Sequence, residues 1–253
     1  MTPGDYVESI INKYAVLTGP YSKAEQSANA VAPSIRSWTN RYLASFSFSG
    51  SYAKGTAINI ATDIDLFVSL SSGTPGTLRE IYESLYKWSS SQGWQPRRQN
   101  VSIAISYNGT KIDLVPGRIQ AGYQNYHSLC TTKRDSWMQT NVTLHVSRVS
   151  GSQRTKEIRA IKIWRTLHNL DFPSFYLELF VIDALANRPS NQLATNVLHA
   201  LNSIANSLSV ARIVDPANSN NVVSDDLTLA EKSQVSAQAR TSASKPSWGQ
   251  IIW

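Results

Sequence analysis

Seven residues, Ile64–Leu70 (IDLFVSL), make a nearly unbroken apolar run of strand length, with an aspartate second in it. The Ser-Ser-Gly-Thr-Pro-Gly stretch at 71–76 closes the run as a loop, so it reads as a strand. Asp63 stands just ahead of it. The two-residue period of a strand turns Asp63 and Asp65 to one face, roughly 7 Å apart. A second segment has the same character. In KIDLV, residues 111–115, Asp113 has apolar neighbours on both sides and is expected to point away from the core. Asn108-Gly109 joins that segment to a strand over 101–107, a strong hairpin signal.

If these strands pair, three carboxylates converge. Such anions repel, and each raises the pKa of the others unless a cation is present. Oxygen-only donors suit Mg²⁺ or Mn²⁺, not zinc. Two such ions could align a hydroxyl nucleophile and a leaving pyrophosphate for in-line attack. Taken singly, each aspartate is more simply a strand end or a solvated side chain.

The segment upstream shifts that balance. Gly50-Ser51-Tyr52-Ala53-Lys54-Gly55-Thr56 follows a strand over 46–49. Gly50 permits a tight turn and close backbone approach, and Ser51 offers a hydroxyl and an amide to triphosphate oxygens. The segment is not a P-loop: Thr56 follows the second glycine where that motif needs lysine, and Lys54 precedes it.

Gly50-Ser51, eleven residues, Asp63-Ile64-Asp65 and a later strand carrying Asp113 together resemble the nucleotidyltransferase superfamily related to DNA polymerase β. GSYAKGTAINIATDIDLFV is similar to the corresponding stretch of oligoadenylate synthases and of bacterial CD-NTases, relatives of cyclic GMP-AMP synthase. KIDLVPGR at 111–118 resembles the third-aspartate strand. WMQTNVTLH at 137–145 resembles a segment in which those enzymes usually have Asn-Pro, with Val142 in place of the proline. IRAIKIW at 158–164 and PSFYLELF at 173–180 resemble the helix pair that presents a lysine and a serine, here Lys162 and Ser174, to the triphosphate. Phe175 falls where relatives place an aromatic against the base. VDPANSNNV at 214–222 resembles the Asp-Pro…Asn-Val element.

The resemblance implies an α+β, polymerase-β-like nucleotidyltransferase fold: a small mixed β-sheet lobe plus a helical C-terminal lobe. Residues 1–150 would form the catalytic lobe with N-terminal bracing helices, and 151–253 a helical lobe closing the nucleotide cleft. It implies two Mg²⁺ (or Mn²⁺) ions, Asp63 and Asp65 on both and Asp113 on the one that activates the attacking hydroxyl. Gly50 and Ser51 would cradle the β- and γ-phosphates, with Lys162 and Ser174 on the same tail. The implied activity builds a cyclic di- or oligonucleotide second messenger from NTPs in bacterial anti-phage signalling. A regulatory protein or nucleic acid would activate it, and a downstream effector would bind the product rather than this chain. Two other readings stay open: a CCA-adding-like enzyme acting on RNA 3′ ends, and a catalytically silent nucleotide-binding module.

The remaining chain is mostly helical in pattern. Helices are expected over 5–16, 22–44 (kinked at Pro33) and 77–92, then over about 153–170, 173–187, 191–208 and 224–241, and strand signals mostly stop after Val115. Composition agrees with a globular enzyme: 253 residues, 42% hydrophobic and 16% charged. The single cysteine, Cys130, excludes an internal disulfide framework and a multi-cysteine zinc site. The N-terminus lacks the order of a signal peptide and no run is long enough to span a bilayer, so a cytoplasmic setting is expected with no membrane partner. The surplus of 24 Lys and Arg over 17 Asp and Glu suits polyanionic partners. Arg97-Arg98 reads as a solvated surface pair.

Overall fold

The computed structural model describes residues 1–253 apart from Thr62, Arg134 and the side chain of Gln124. In chain order the elements are α1 (Pro3–Lys13), α2 (Lys23–Thr39), β1 (Leu43–Phe48), the single turn α3 (Gly50–Ala53), β2 (Ile64–Leu70) and α4 (Leu78–Ser91). Strands β3 (Arg97–Arg98), β4 (Ile103–Tyr107), β5 (Thr110–Gln120), β6 (Tyr123–Thr131) and β7 (Ser136–Thr140) follow. Then come α5 (Val142–Ser150), α6 (Thr155–Leu167), α7 (Ser174–Ala184), α8 (Leu193–Ser207), the short strands β8 (Val214–Asp215) and β9 (Asn218–Val222), and α9 (Leu229–Ala243).

Local chemistry explains most boundaries. Thr2 with Asp5, Thr77 with Glu80 and Thr228 with Glu231 form reciprocal capping boxes at the starts of α1, α4 and α9. Helix α2 ends at Thr39, short of the expected residue 44, because Asn40 turns to φ +50°. Pro33 lies inside that helix. Asn108 and Gly109 both have positive φ, +46° and +74°, which a two-residue hairpin turn of the mirror-image type requires. Asn141 Oδ1 accepts from Leu144 N at 2.9 Å, so α5 is capped at its start although valine stands where a proline would be favoured.

The chain divides into two compact units. One contains Met1–Val16, Lys54–Thr62 and Ser147–Trp253; the other contains Leu17–Ala53 and Asp63–Val146. The expected boundary at 150 falls in α5, and α1 and α2 belong to different units.

The sheet unit holds seven strands in the order β1-β2-β5-β4-β3, with β6 beside β5 and β7 beside β6. Strands β2 and β5 are parallel and the other pairs antiparallel, so the sheet is mixed. Ile64, Leu66, Val68, Ile103, Ile105, Ile112 and Leu114 pack with Val31 and Ile35 of α2 and with Ile81, Tyr82 and Leu85 of α4 in one core. Burying each of these large side chains contributes about 1.5–3 kcal/mol, before the loss of chain entropy is set against it. Strand structure does not stop after Val115: β5 runs on to Gln120, and β6 and β7 add two more strands. These are polar antiparallel strands held by ladder hydrogen bonds, so they lack the apolar run that marks β2. Gly117 in β5 permits the close packing here, since a methyl at that position would lie 2.5 Å from Phe67 Cζ.

The helical unit gathers α1, α6, α7, α8 and α9 around a second core. Helix α7 is buried over every residue from Tyr176 to Ile182, including Glu178. Trp164 is buried there with its indole Nε1 donating to Ser242 Oγ at 2.9 Å. Among the described residues no helix is long and apolar enough to cross a membrane.

Candidate functional site

The parallel pairing of β2 and β5 places Asp65 directly opposite Asp113. Paired residues on adjacent strands point to the same face. Their neighbours Ile64, Leu66, Ile112 and Leu114 alternate to the other face and fill the core, so both carboxylates lie on the face away from it. Asp63 stands one residue before β2 and is exposed. Asp113 is half-buried. Burial first, then the charges of Asp65 and Asp63, push its carboxyl from 3.8 up to about 6. Gln99 Nε2 donates to Asp113 Oδ1 at 3.2 Å and opposes that rise.

The glycine-serine turn packs against the same carboxylate. Gly50 has φ +54°, and a methyl built on it would fall 1.8 Å from Asp65 Oδ2. The position therefore requires glycine twice over, for its backbone conformation and for the room Asp65 occupies. Ser51 follows in α3, and Ser49 N donates to the Asp65 backbone oxygen at 2.8 Å, which ties the turn to β2.

Hard oxygen donors that crowd one another suit a divalent cation. A bound ion would offset the repulsion that the charges of Asp65 and Asp63 exert on Asp113. Among the described residues no three Asp, Glu, His or Cys side chains are already drawn around one point. The donor chemistry and the mutual repulsion at Asp113 fit Mg²⁺ or Mn²⁺.

The helical unit contains the other predicted residues. Lys162 is 2% exposed, and its Nζ donates to Glu178 Oε1 at 2.6 Å and to Thr56 Oγ1 at 2.9 Å. Lys54 Nζ donates to the second oxygen of Glu178 at 2.7 Å, and Thr56 Oγ1 donates to Glu178 Oε1 at 2.6 Å. Burial acts to raise the Glu178 carboxyl, but Lys162 and Lys54 outweigh it and hold it at about 2. Burial pulls the Lys162 ammonium below its usual range. Ser174 is the first residue of α7, and its hydroxyl accepts from Arg165 Nη1 at 3.0 Å, leaving its proton available. Phe175 is partly buried, with Lys54 Nζ 4.5 Å from its ring centroid.

The structure thus brings Asp65, Asp113, Gly50 and Ser51 together in the sheet unit, while Lys162, Ser174 and Phe175 lie in the helical unit. Lys54, Thr56, Glu178, Arg165 and Gln99 were not singled out from the sequence. A carboxylate in the middle of the apolar run of α7 was the available sign for Glu178. Lys54 had been weighed only as a P-loop lysine.

No protein-family model matches the chain. A curated relative, the cyclic AMP-AMP-AMP synthase of Escherichia coli (strain MS 115-1), is 26% identical over 152 residues, 54% of this chain and 47% of the relative. The match therefore spans about half the relative's length. Among solved structures, CdnC in the E. coli MS115-1 CdnC:HORMA-deltaN complex superposes with a TM-score of 0.73 at 20% identity, covering 98% of this chain and 96% of that one. The Bradyrhizobium diazoefficiens CD-NTase CdnG, solved with GTP, superposes with a TM-score of 0.80 at 16% identity, covering 96% and 90%.

Proposed function

This chain is related to the CD-NTases and shares their fold, and from that premise we propose that it is a metal-dependent nucleotidyltransferase. It transfers a nucleoside monophosphate from an NTP to a ribose hydroxyl, releases pyrophosphate, and builds a cyclic di- or oligonucleotide. The observation that carries this reading is the register of Asp65 against Asp113 with Gly50 packed on Asp65.

In this reading Asp63 and Asp65 would hold both Mg²⁺ (or Mn²⁺) ions, and Asp113 the one on the side of the attacking hydroxyl. Bound ions would neutralise phosphate oxygens and favour the ionised hydroxyl. Gly50, folded against Asp65, would bring the backbone of the turn to the β- and γ-phosphates, and Ser51 would donate to them. Ser174, its oxygen held by Arg165, donates its proton to the triphosphate tail. Lys162 and Lys54 share one carboxylate, so their cluster keeps a net positive charge that favours the same tail. Phe175 offers a ring face to the base. The 1–150 segment would carry the catalytic carboxylates and the glycine-serine turn, and 151–253 would add Lys162, Ser174 and Phe175 for the nucleotide's tail and base.

The kinship supports ATP as a substrate, since the E. coli relative is a cyclic AMP-AMP-AMP synthase. A HORMA protein accompanies CdnC in its solved complex, which supports a regulatory protein as activator here. A cytoplasmic role in anti-phage signalling, with a separate effector reading the product, completes the proposal.

The test is incubation of the purified chain with labelled NTPs and Mg²⁺ or Mn²⁺. A phosphatase-resistant cyclic product, identified by mass spectrometry together with released pyrophosphate, is expected. A product ladder that forms only when tRNA is added would select RNA-end extension instead. No pyrophosphate under any condition, with or without candidate activators, would leave a silent binding module.

A further inference from the structure

The register that pairs Asp65 with Asp113 continues across the sheet. Asp113 is opposite Ala104 in β4, and Ala104 is opposite Arg97 in β3. Asp65, Asp113, Ala104 and Arg97 therefore form one row on one face. The neighbouring arginine confirms the alternation. Arg98 is opposite Ile103, a core residue, and reaches back to α4, where its guanidinium binds Glu83 and lies 3.5 Å from the Tyr86 ring centroid. Arg97 points the other way. It is exposed; among the described residues its guanidinium makes no ion pair or hydrogen bond, and its charge works to lower the Asp113 carboxyl. Both arginines are exposed, as expected of a solvated pair, but they take opposite faces: Arg98 is held against α4, and Arg97 stands in line with the carboxylates.

Two inter-strand steps separate Arg97 from Asp113, roughly 10 Å between backbones. Ala104, small and buried, is the floor between them. Asp113 takes its hydrogen bond from Gln99 and not from Arg97. The Arg97 charge acts on Asp113 across Ala104 without a hydrogen bond between them, so its exposed guanidinium keeps its donors for a third group, and phosphate matches their planar fork.

We propose that Arg97 binds a phosphate of the acceptor, the nucleotide or linear intermediate whose ribose hydroxyl attacks. The inference rests on the transferase reading, in which Asp113 lies on the side of that hydroxyl. Arg97 lies beyond Asp113 in the row, on the side away from Asp65.

The experiment is calorimetric titration of wild type, Arg97→Ala, Arg97→Lys and Arg98→Ala with Ca²⁺ in place of Mg²⁺. The probes are the linear 5′-triphosphorylated adenosine dinucleotide and the same dinucleotide with a 5′-hydroxyl. Arg97→Ala should bind roughly ten- to a hundredfold more weakly, Arg97→Lys should recover part of the loss, and Arg98→Ala should match wild type. Unchanged melting of Arg97→Ala would show that the loss is not a folding defect. Loss confined to the triphosphorylated probe assigns Arg97 to the acceptor's tail; equal loss on both assigns it to the bridging phosphodiester. Wild-type affinity of Arg97→Ala for both probes, or no binding of either by wild type, would overturn the proposal. Pyrophosphate release from ATP judges the transferase reading separately, because the titration needs no turnover.

Discussion

Asp113 in the sheet unit and Glu178 in the helical unit are both withdrawn from water, yet their carboxyls move in opposite directions. Burial and the charges of Asp65 and Asp63 outweigh Gln99 and the charge of Arg97 at Asp113, and its pKa rises to about 6. Glu178 is fully buried between two lysines and a threonine hydroxyl, and its pKa falls to about 2. Desolvation acts the same way on both; the difference is the charge of their neighbours. A carboxylate matched by cations inside the protein holds architecture together. A carboxylate crowded by its own kind gains from a cation, and that imbalance is what the proposed function places at the sheet row.

The sharpest way to break this contrast is at the row itself. Asp65→Asn keeps the shape of the strand and removes one charge. It should lower pyrophosphate release by roughly a thousandfold or more, with the melting temperature unchanged or raised. An active Asp65→Asn chain would end the metal assignment.

The next effect is on stability in the helical unit. Glu178→Gln leaves two buried ammonium groups without a counter-ion and should cost about 3–5 kcal/mol in denaturant unfolding. Lys162→Met should cost less, because Glu178 keeps Lys54. If Lys162→Met is the more damaging change, Glu178 is not the centre of the cluster.

The smallest effect is a difference in pH dependence. Asp113 is raised from 3.8 to about 6, so its stabilising contribution is complete below about pH 3.8 and is lost as pH rises through about 6. Metal-free protein should therefore melt at a lower temperature at pH 7 than at pH 5, and Asp113→Asn should flatten that slope. Mg²⁺ should restore melting at pH 7 in wild type and not in Asp113→Asn. Glu178 has the opposite sign: its contribution is present above about pH 4.5 and is lost as pH falls through about 2. A wild-type slope that survives Asp113→Asn would assign the effect to other groups.

Much of this was legible along the chain. The helix expected from Thr77, the Asn108-Gly109 turn and the apolar run of β2 are local signals, and the structure realises each one. The pairing of Asp65 with Asp113 was foreseen only as a condition. Strands β6 and β7 escaped notice because a polar antiparallel strand needs no apolar run. The Lys54–Glu178 pair, 124 residues apart, left only the trace of an acidic residue in the middle of an apolar helix. That Arg97 and Arg98 take opposite faces was not legible, because an exposed basic pair looks the same in sequence whichever face each member takes.

Residue chemistry alone determined the strand and helix types, the spacing of the glycine-serine turn from its aspartates, and the preference for a hard cation. These depend on backbone propensity and donor type, which act within a few residues. Which carboxylates face one another, which lysines share Glu178 and which arginine stays uncommitted were decided by strand register and by packing around the two cores. Those are long-range pairings, and a shift of a single residue in register would turn Asp113 into the core and Arg97 toward α4.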